Sequence, residues 1–243
     1  MKDKFKKIKN LLALDIRSDN SFEPNLTSGL LYAAAEEAIT MLKPDGRPVK
    51  TLELGCGSGV ISMMLKKTHG KNVDISMSDI VEASCSDAFH NIEAEGWSAD
   101  IRCSDLFDRW QNGDQWDVII YDITGIATKI AAVSPWFTKA FYEGNETGVD
   151  HLLRFLKEFD KFLRPDGKIV FPLLSLSDMG CVPNFSELGL QVSLSDRTEW
   201  PLPLEEFDGD FKGLAAERNC DLIERDHMLF AWTEVYVCER LVT

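Results

Sequence analysis

Apolar residues recur every three or four positions at Phe5, Ile8, Leu11 or Leu12 and Ile16, with lysines on the other face, so residues 4–16 are predicted to form an amphipathic helix. A turn-rich stretch, 22–28, leads into a second helix with apolar positions Leu31, Ala34, Ala35, Ala38, Ile39 and Leu42. The segment Pro44-Asp45-Gly46-Arg47-Pro48 stops it. From Val49 the period changes. Short apolar runs at 51–54, 73–79, 100–104, 116–122 and 168–174 read as strands, and they alternate with helices at 60–69, 81–95 and 150–163. The run Trp116-Asp117-Val118-Ile119-Ile120-Tyr121-Asp122 suits a strand buried on both faces. This alternation predicts a Rossmann-like, doubly wound α/β domain with a mostly parallel sheet. After 174 the pattern loosens into a short helix at 185–188, a strand at 191–195, a polar helical insertion at 204–218 and a long strand at 228–238. That ending implies seven strands with an antiparallel strand at the C-terminal edge. Residues 1–48 read as an N-terminal helical extension or lid, forming one globular unit with the domain at 49–243.

At 243 residues, with 44% hydrophobic and 27% charged positions, the chain has the composition of a single folded domain rather than a disordered or fibrous one. No apolar run approaches a bilayer span, and no apolar stretch of a secretory signal follows the first lysines, so a cytoplasmic protein is expected. The net charge of −14 argues against nucleic acid as a partner and against adsorption to anionic lipid. Six cysteines at 56, 85, 103, 181, 220 and 238 form no Cys-x-x-Cys pair, and no metal is expected; they read as reduced core thiols.

The most informative segment is Glu53-Leu54-Gly55-Cys56-Gly57-Ser58-Gly59-Val60, at the junction of a strand and a helix. Alternate glycines let backbone approach a ligand where a side chain would collide. A nicotinamide site would want Gly-x-Gly-x-x-Gly, but the third glycine position is Val60, and Glu53 would repel a pyrophosphate while suiting a cationic ligand. Asp79 ends the next strand about twenty residues on, where a ribose-binding carboxylate falls in either cofactor class. Neither a Gly-x-Ser-x-Gly elbow nor a phosphate loop is present.

The acidic-x-Gly-x-Gly-x-Gly signature resembles the class I S-adenosylmethionine-dependent methyltransferases. The resemblance implies that cofactor, with Thr27, Glu53, Gly55, Cys56, Gly57, Ser58, Gly59, Asp79, Ile80, Asp105, Leu106 and Asp122 around it and the adenine beside Ser104-Asp105-Leu106-Phe107. It runs from about Phe22 to Leu174. It is nearest the release-factor glutamine and ribosomal RNA methyltransferase branch, through Phe22-x-Pro24-x-x-Thr27, Gly144-x-x-x-Gly148-x-Asp150 and Pro165-Asp166-Gly167. That branch closes its fourth strand with Asn-Pro-Pro-Tyr. Here the corresponding residues are Asp122-Ile123-Thr124-Gly125, so the clamp for a planar amide is missing.

Asp122 nonetheless stands at the carboxyl end of a central strand, where α/β folds place their chemistry, and can orient or deprotonate an acceptor. Tyr121 beside it and His151, which opens the helix after a long aromatic loop at 123–146, complete the catalytic candidates. Glu199-Trp200-Pro201 is a further candidate pocket wall. The expected function is methyl transfer to nitrogen or oxygen of a small-molecule or peptide-like acceptor. The alternatives are a protein methyltransferase and a non-catalytic cofactor-binding partner subunit. A homodimer contact through the N-terminal helix is also open.

Overall fold

The computed structural model describes residues 10–241 apart from 12, 22, 43–45 and 136–143; Phe22, the aromatics of 136–143 and residues 4–9 and 12 of the expected helix at 4–16 lie outside these, and residues 13–16, expected to continue that helix, are not helical. The order of elements is α1 (Leu26–Met41), β1 (Val49–Leu54), α2 (Val60–His69), β2 (Val73–Asp79), α3 (Glu82–Ala94), β3 (Asp100–Cys103) and β4 (Trp116–Tyr121). There follow α4 (Thr128–Val133), α5 (Asp150–Glu158), β5 (Leu163–Leu174), β6 (Leu190–Pro201), α6 (Phe211–Glu217), β7 (Ile223–Arg225) and β8 (Met228–Arg240). The strands form one sheet in the order β3-β2-β1-β4-β5-β8-β6, with β7 paired to β8. β1 to β5 run parallel, and β8 is antiparallel to both β5 and β6. The antiparallel part thus lies at the C-terminal edge as expected, with β8 one place inside β6 and short β7 added as an eighth strand.

Alternation along β1 sorts its side chains between two cores. Leu52 and Leu54 join Ile119, Tyr121, Phe155 and Phe171 on the α5 face. On the other face α1, α2 and α3 cover Val118, Ile120, Val170 and Val235, and Glu53 points the same way, toward Ser62 of α2. α1 starts where the Asn25 side chain accepts the Thr27 and Ser28 amides, and its middle is buried against the sheet. Pro165-Asp166-Gly167 forms a bulge between the Leu163 and Lys168 pairings with β4. Below it Asp117 accepts Arg47 through two 2.7 Å bonds, with Arg164 at 3.2 Å. Burial alone would raise this carboxyl, but Arg47, the Lys50 amide and Arg164 outweigh it and hold its pKa below the usual carboxylate range. A third cluster, built from Ile126 to Ala131, Leu202, Phe207, Phe211 and Leu229, packs the 204–217 insertion against α4.

Candidate active site

One cavity of about 460 Å³ opens where β1, β2, β4 and β5 end, and it extends across to Thr198, Trp200 and Thr233 on β6 and β8. The glycine turn forms its floor. All three glycines have positive φ, at +78°, +51° and +76°, but they are required for different reasons. A Cβ on Gly55 would lie 2.5 Å from the Asp122 carbonyl oxygen, and one on Gly59 would meet Met77 Sδ at 3.1 Å and Ala88 Cβ at 3.2 Å. Those two are demanded by the protein's own packing. At Gly57 the nearest atom is Ser21 Cβ at 3.4 Å, across the cavity mouth. The idea that all three glycines serve ligand approach therefore holds best for Gly57.

Asp79 controls this turn. Its Oδ2 accepts the Gly57 amide at 2.9 Å and its Oδ1 the Val81 amide at 2.9 Å. Burial raises its pKa, partly offset by these amides. Ile80 is exposed within the cavity beside it, and Ser104, Asp105 and Leu106 continue the wall, with Leu106 at φ +45°. Asp105 also pairs with Arg154 at 2.8 Å. Thr27, Cys56 and Ser58 line the same space.

Three expected site residues do not line the cavity. Glu53 is buried behind the turn; its Oε2 accepts the Ser62 amide at 2.9 Å and the Ser62 hydroxyl, while Oε1 has no partner among the described residues. Burial, with Asp122 and Asp79 adding repulsion, pushes its pKa to about 8. Gly59 caps α2. Tyr121 is buried against Phe155, and burial raises its phenol well above its usual range, so it serves packing.

Asp122 and His151 do reach the cavity. Burial and the nearby Asp79 push the Asp122 pKa to about 7. The loop after Asp122 is pinned from behind: buried Asn145 donates Nδ2 to the Thr124 carbonyl at 2.8 Å and accepts the Asp150 amide on Oδ1 at 3.0 Å. Ser177 Oγ donates to the Gly125 carbonyl at 2.9 Å, and Gly148, at φ +82°, leaves room where a Cβ would meet Ser177 Oγ at 2.7 Å. The Gly144–Asp150 segment thus acts as the brace of the loop.

Residues 33–122 match the methyltransferase small domain family. This stretch holds the glycine turn, Asp79 and Asp122, the features on which the site rests. The chain carries a class I S-adenosylmethionine-dependent methyltransferase domain. Ribosomal RNA small subunit methyltransferase C of Haemophilus influenzae is 32% identical over 102 residues, 41% of this chain and 30% of that protein. Ribosomal protein L11 methyltransferase of Thermosipho melanesiensis is 27% identical over 150 residues, 60% of this chain and 47% of that one. The chain therefore spans less than half the length of these curated relatives. The solved structure of ribosomal protein L11 methylase from Lactobacillus delbrueckii subsp. bulgaricus shares the fold, with a TM-score of 0.54 at 14% identity over 93% of this chain and 84% of that one.

The methyltransferase domain presents groups that fit S-adenosylmethionine: an open backbone position at Gly57, a carboxylate at Asp79 for hydroxyls, the apolar Ile80 and Leu106, and carboxyl groups suited to a cationic ligand end. Pro24 of the Phe22-x-Pro24-x-x-Thr27 motif lines the cavity too, and so do Ser21, Asn25, Ser84, Pro172, Leu174, Thr198 and Thr233, which were not singled out from sequence. Trp200 was. Of the cysteines, Cys56, Cys85 and Cys238 are buried, but Cys103 is exposed rather than in the core. No cluster of metal-ligating side chains occurs among the described residues, and no helix among them is long and apolar enough to cross a membrane.

Proposed function

We propose that the protein transfers a methyl group from S-adenosylmethionine to a nitrogen or oxygen of a small-molecule or peptide-like acceptor. The carrying observation is that one continuous cavity joins Gly57 and Asp79 to Asp122 at the end of β4. When bound, the cofactor supplies a methyl group already activated on a sulfonium sulfur. The chain's own contribution is alignment and proton handling. Thr27, Gly57, Asp79, Ile80 and Leu106 hold the cofactor; Asp122, with a pKa of about 7, orients the acceptor and takes its proton. His151 flanks the acceptor, and Asn20, Ser21 and Pro24 to Ser28 form one wall of the cavity.

A second reading, methylation of a ribosomal component, draws on what the curated relatives are called. The test is label transfer from methyl-tritiated cofactor to small amines, peptides, ribosomal proteins and ribosomal RNA in parallel. Labelling of the first two supports the proposal. Labelling confined to ribosomal protein or RNA replaces it with the second reading.

A further inference from the structure

Resting on that methyl-transfer reading, we propose that the acceptor end of the cavity receives a protonated amine carried on an apolar or aromatic body, held between the Trp200 indole and the Asp122 carboxyl.

The wall is specified by strand register. Leu174 pairs with Thr233 and Thr233 with Thr198, and directly opposed residues share a face of the sheet. Pro172 and Trp200 lie two residues from Leu174 and Thr198, which returns them to that same face. All five line the cavity. Gly125, in the loop that Asp122 begins, connects this wall to the reaction end, because a Cβ there would lie 3.6 Å from Leu174 Cδ1. The indole is held in place: its Nε1 donates to Thr233 Oγ1 at 3.3 Å. Pro172, Leu174 and Trp200 offer apolar surface, and the aromatic ring attracts a cation.

The charged side chains that line the cavity are all acidic. Asp79, Asp105 and Asp122 line it, Asp105 being paired with Arg154, and no Lys or Arg occurs among the described lining residues. At the Asp122 end a phosphate or carboxylate would lose water and meet a carboxyl group, with no Lys or Arg among the described lining residues to balance it. An ammonium would meet a carboxylate and an aromatic ring.

Calorimetric titration of the full chain saturated with S-adenosylhomocysteine tests this with three probes of similar shape: phenethylamine, phenethyl alcohol and phenylacetate. The amine is expected to bind about tenfold more tightly than the alcohol, and phenylacetate not measurably. Trp200→Ala should weaken amine binding about fivefold, and more than it weakens the alcohol, while leaving S-adenosylhomocysteine affinity unchanged. Should Trp200→Ala fold poorly, Trp200→Phe should keep most of the preference and Trp200→Leu lose it. Equal binding of amine and phenylacetate, or an amine preference that survives Trp200→Leu, overturns the subsite while the cofactor reading stands. Absence of S-adenosylhomocysteine binding to the wild-type chain overturns both.

Discussion

The Asp79 carboxylate grips two amides at once, Gly57 on one oxygen and Val81 on the other, each at 2.9 Å, and so couples the glycine turn after β1 to the start of α3. Hydrogen bonds to a charged acceptor are the stronger kind. Asp79→Ala frees both amides and should weaken S-adenosylhomocysteine binding at least about tenfold. Asp79→Asn can accept from only one amide and faces the other with a donor, so it should also fail to restore affinity. Calorimetry on the two variants checks this, and wild-type affinity in either would contradict it.

Asn145 is fully buried and answers both the Thr124 carbonyl and the Asp150 amide. Asn145→Ala leaves two half-buried backbone groups without their partner and should lower stability by about 1–3 kcal/mol. Because the loop it braces begins at Asp122, methyl transfer should fall further than cofactor affinity, which should stay within about twofold. Urea melts, turnover and cofactor titration measured together separate the two effects.

The parallel half of this arrangement is legible in sequence and the antiparallel half much less so. β2, α2 and β4 fall within a residue of their expected ends, because apolar runs buried on both faces and a helix beginning right after a glycine turn are local signals. Asp79 and Asp122 follow as the residues closing two such strands. Thr198 and Thr233 reach the cavity only through pairing of two strands separated by the 204–217 insertion, and their alternation of polar and apolar positions does not reveal which face is enclosed. Glu53 shows the opposite difficulty: its place in the signature implies cofactor contact, yet strand alternation turns it toward Ser62 and away from the cavity wall. Sequence likewise could not tell that Gly55 and Gly59 are spaced for Asp122 and Ala88 rather than for a ligand.

Asp122 must be ionised to accept a proton. Its pKa is raised by burial and Asp79 to about 7, so the group loses its proton as pH rises through that value. Turnover per bound cofactor should therefore climb from pH 6 to 8 and then level. Asp122→Asn should lose most activity and with it this rising limb; a profile that is flat across pH 7 in the wild type would remove Asp122 from the proton-accepting role.

Glu53 has the opposite consequence for stability. Its folded pKa of about 8 exceeds the ordinary 4.5, so between those values the folded chain holds a proton that the unfolded chain has released. Stability attributable to this group is then lost as pH rises from about 4.5 to 8, and is constant above. Glu53→Gln removes the titration. Its Tm relative to wild type should rise by on the order of 5 °C between pH 5 and 8.5, from a linkage of a few kcal/mol. A difference in Tm independent of pH would show that Glu53 is already ionised in the fold.

Whether the glycine turn and Asp79 build a sulfur-nucleotide site is decided by calorimetric titration with S-adenosylmethionine and S-adenosylhomocysteine, using NAD as control and Gly57→Arg as the blocked site. Gly57 lines the cavity at φ +51°, where a side chain is both strained and in the way. Both sulfur nucleotides should bind with micromolar affinity, NAD should not bind, and a folded Gly57→Arg protein should lose the binding. Binding of NAD in preference, or undiminished S-adenosylhomocysteine affinity in the variant, would contradict this.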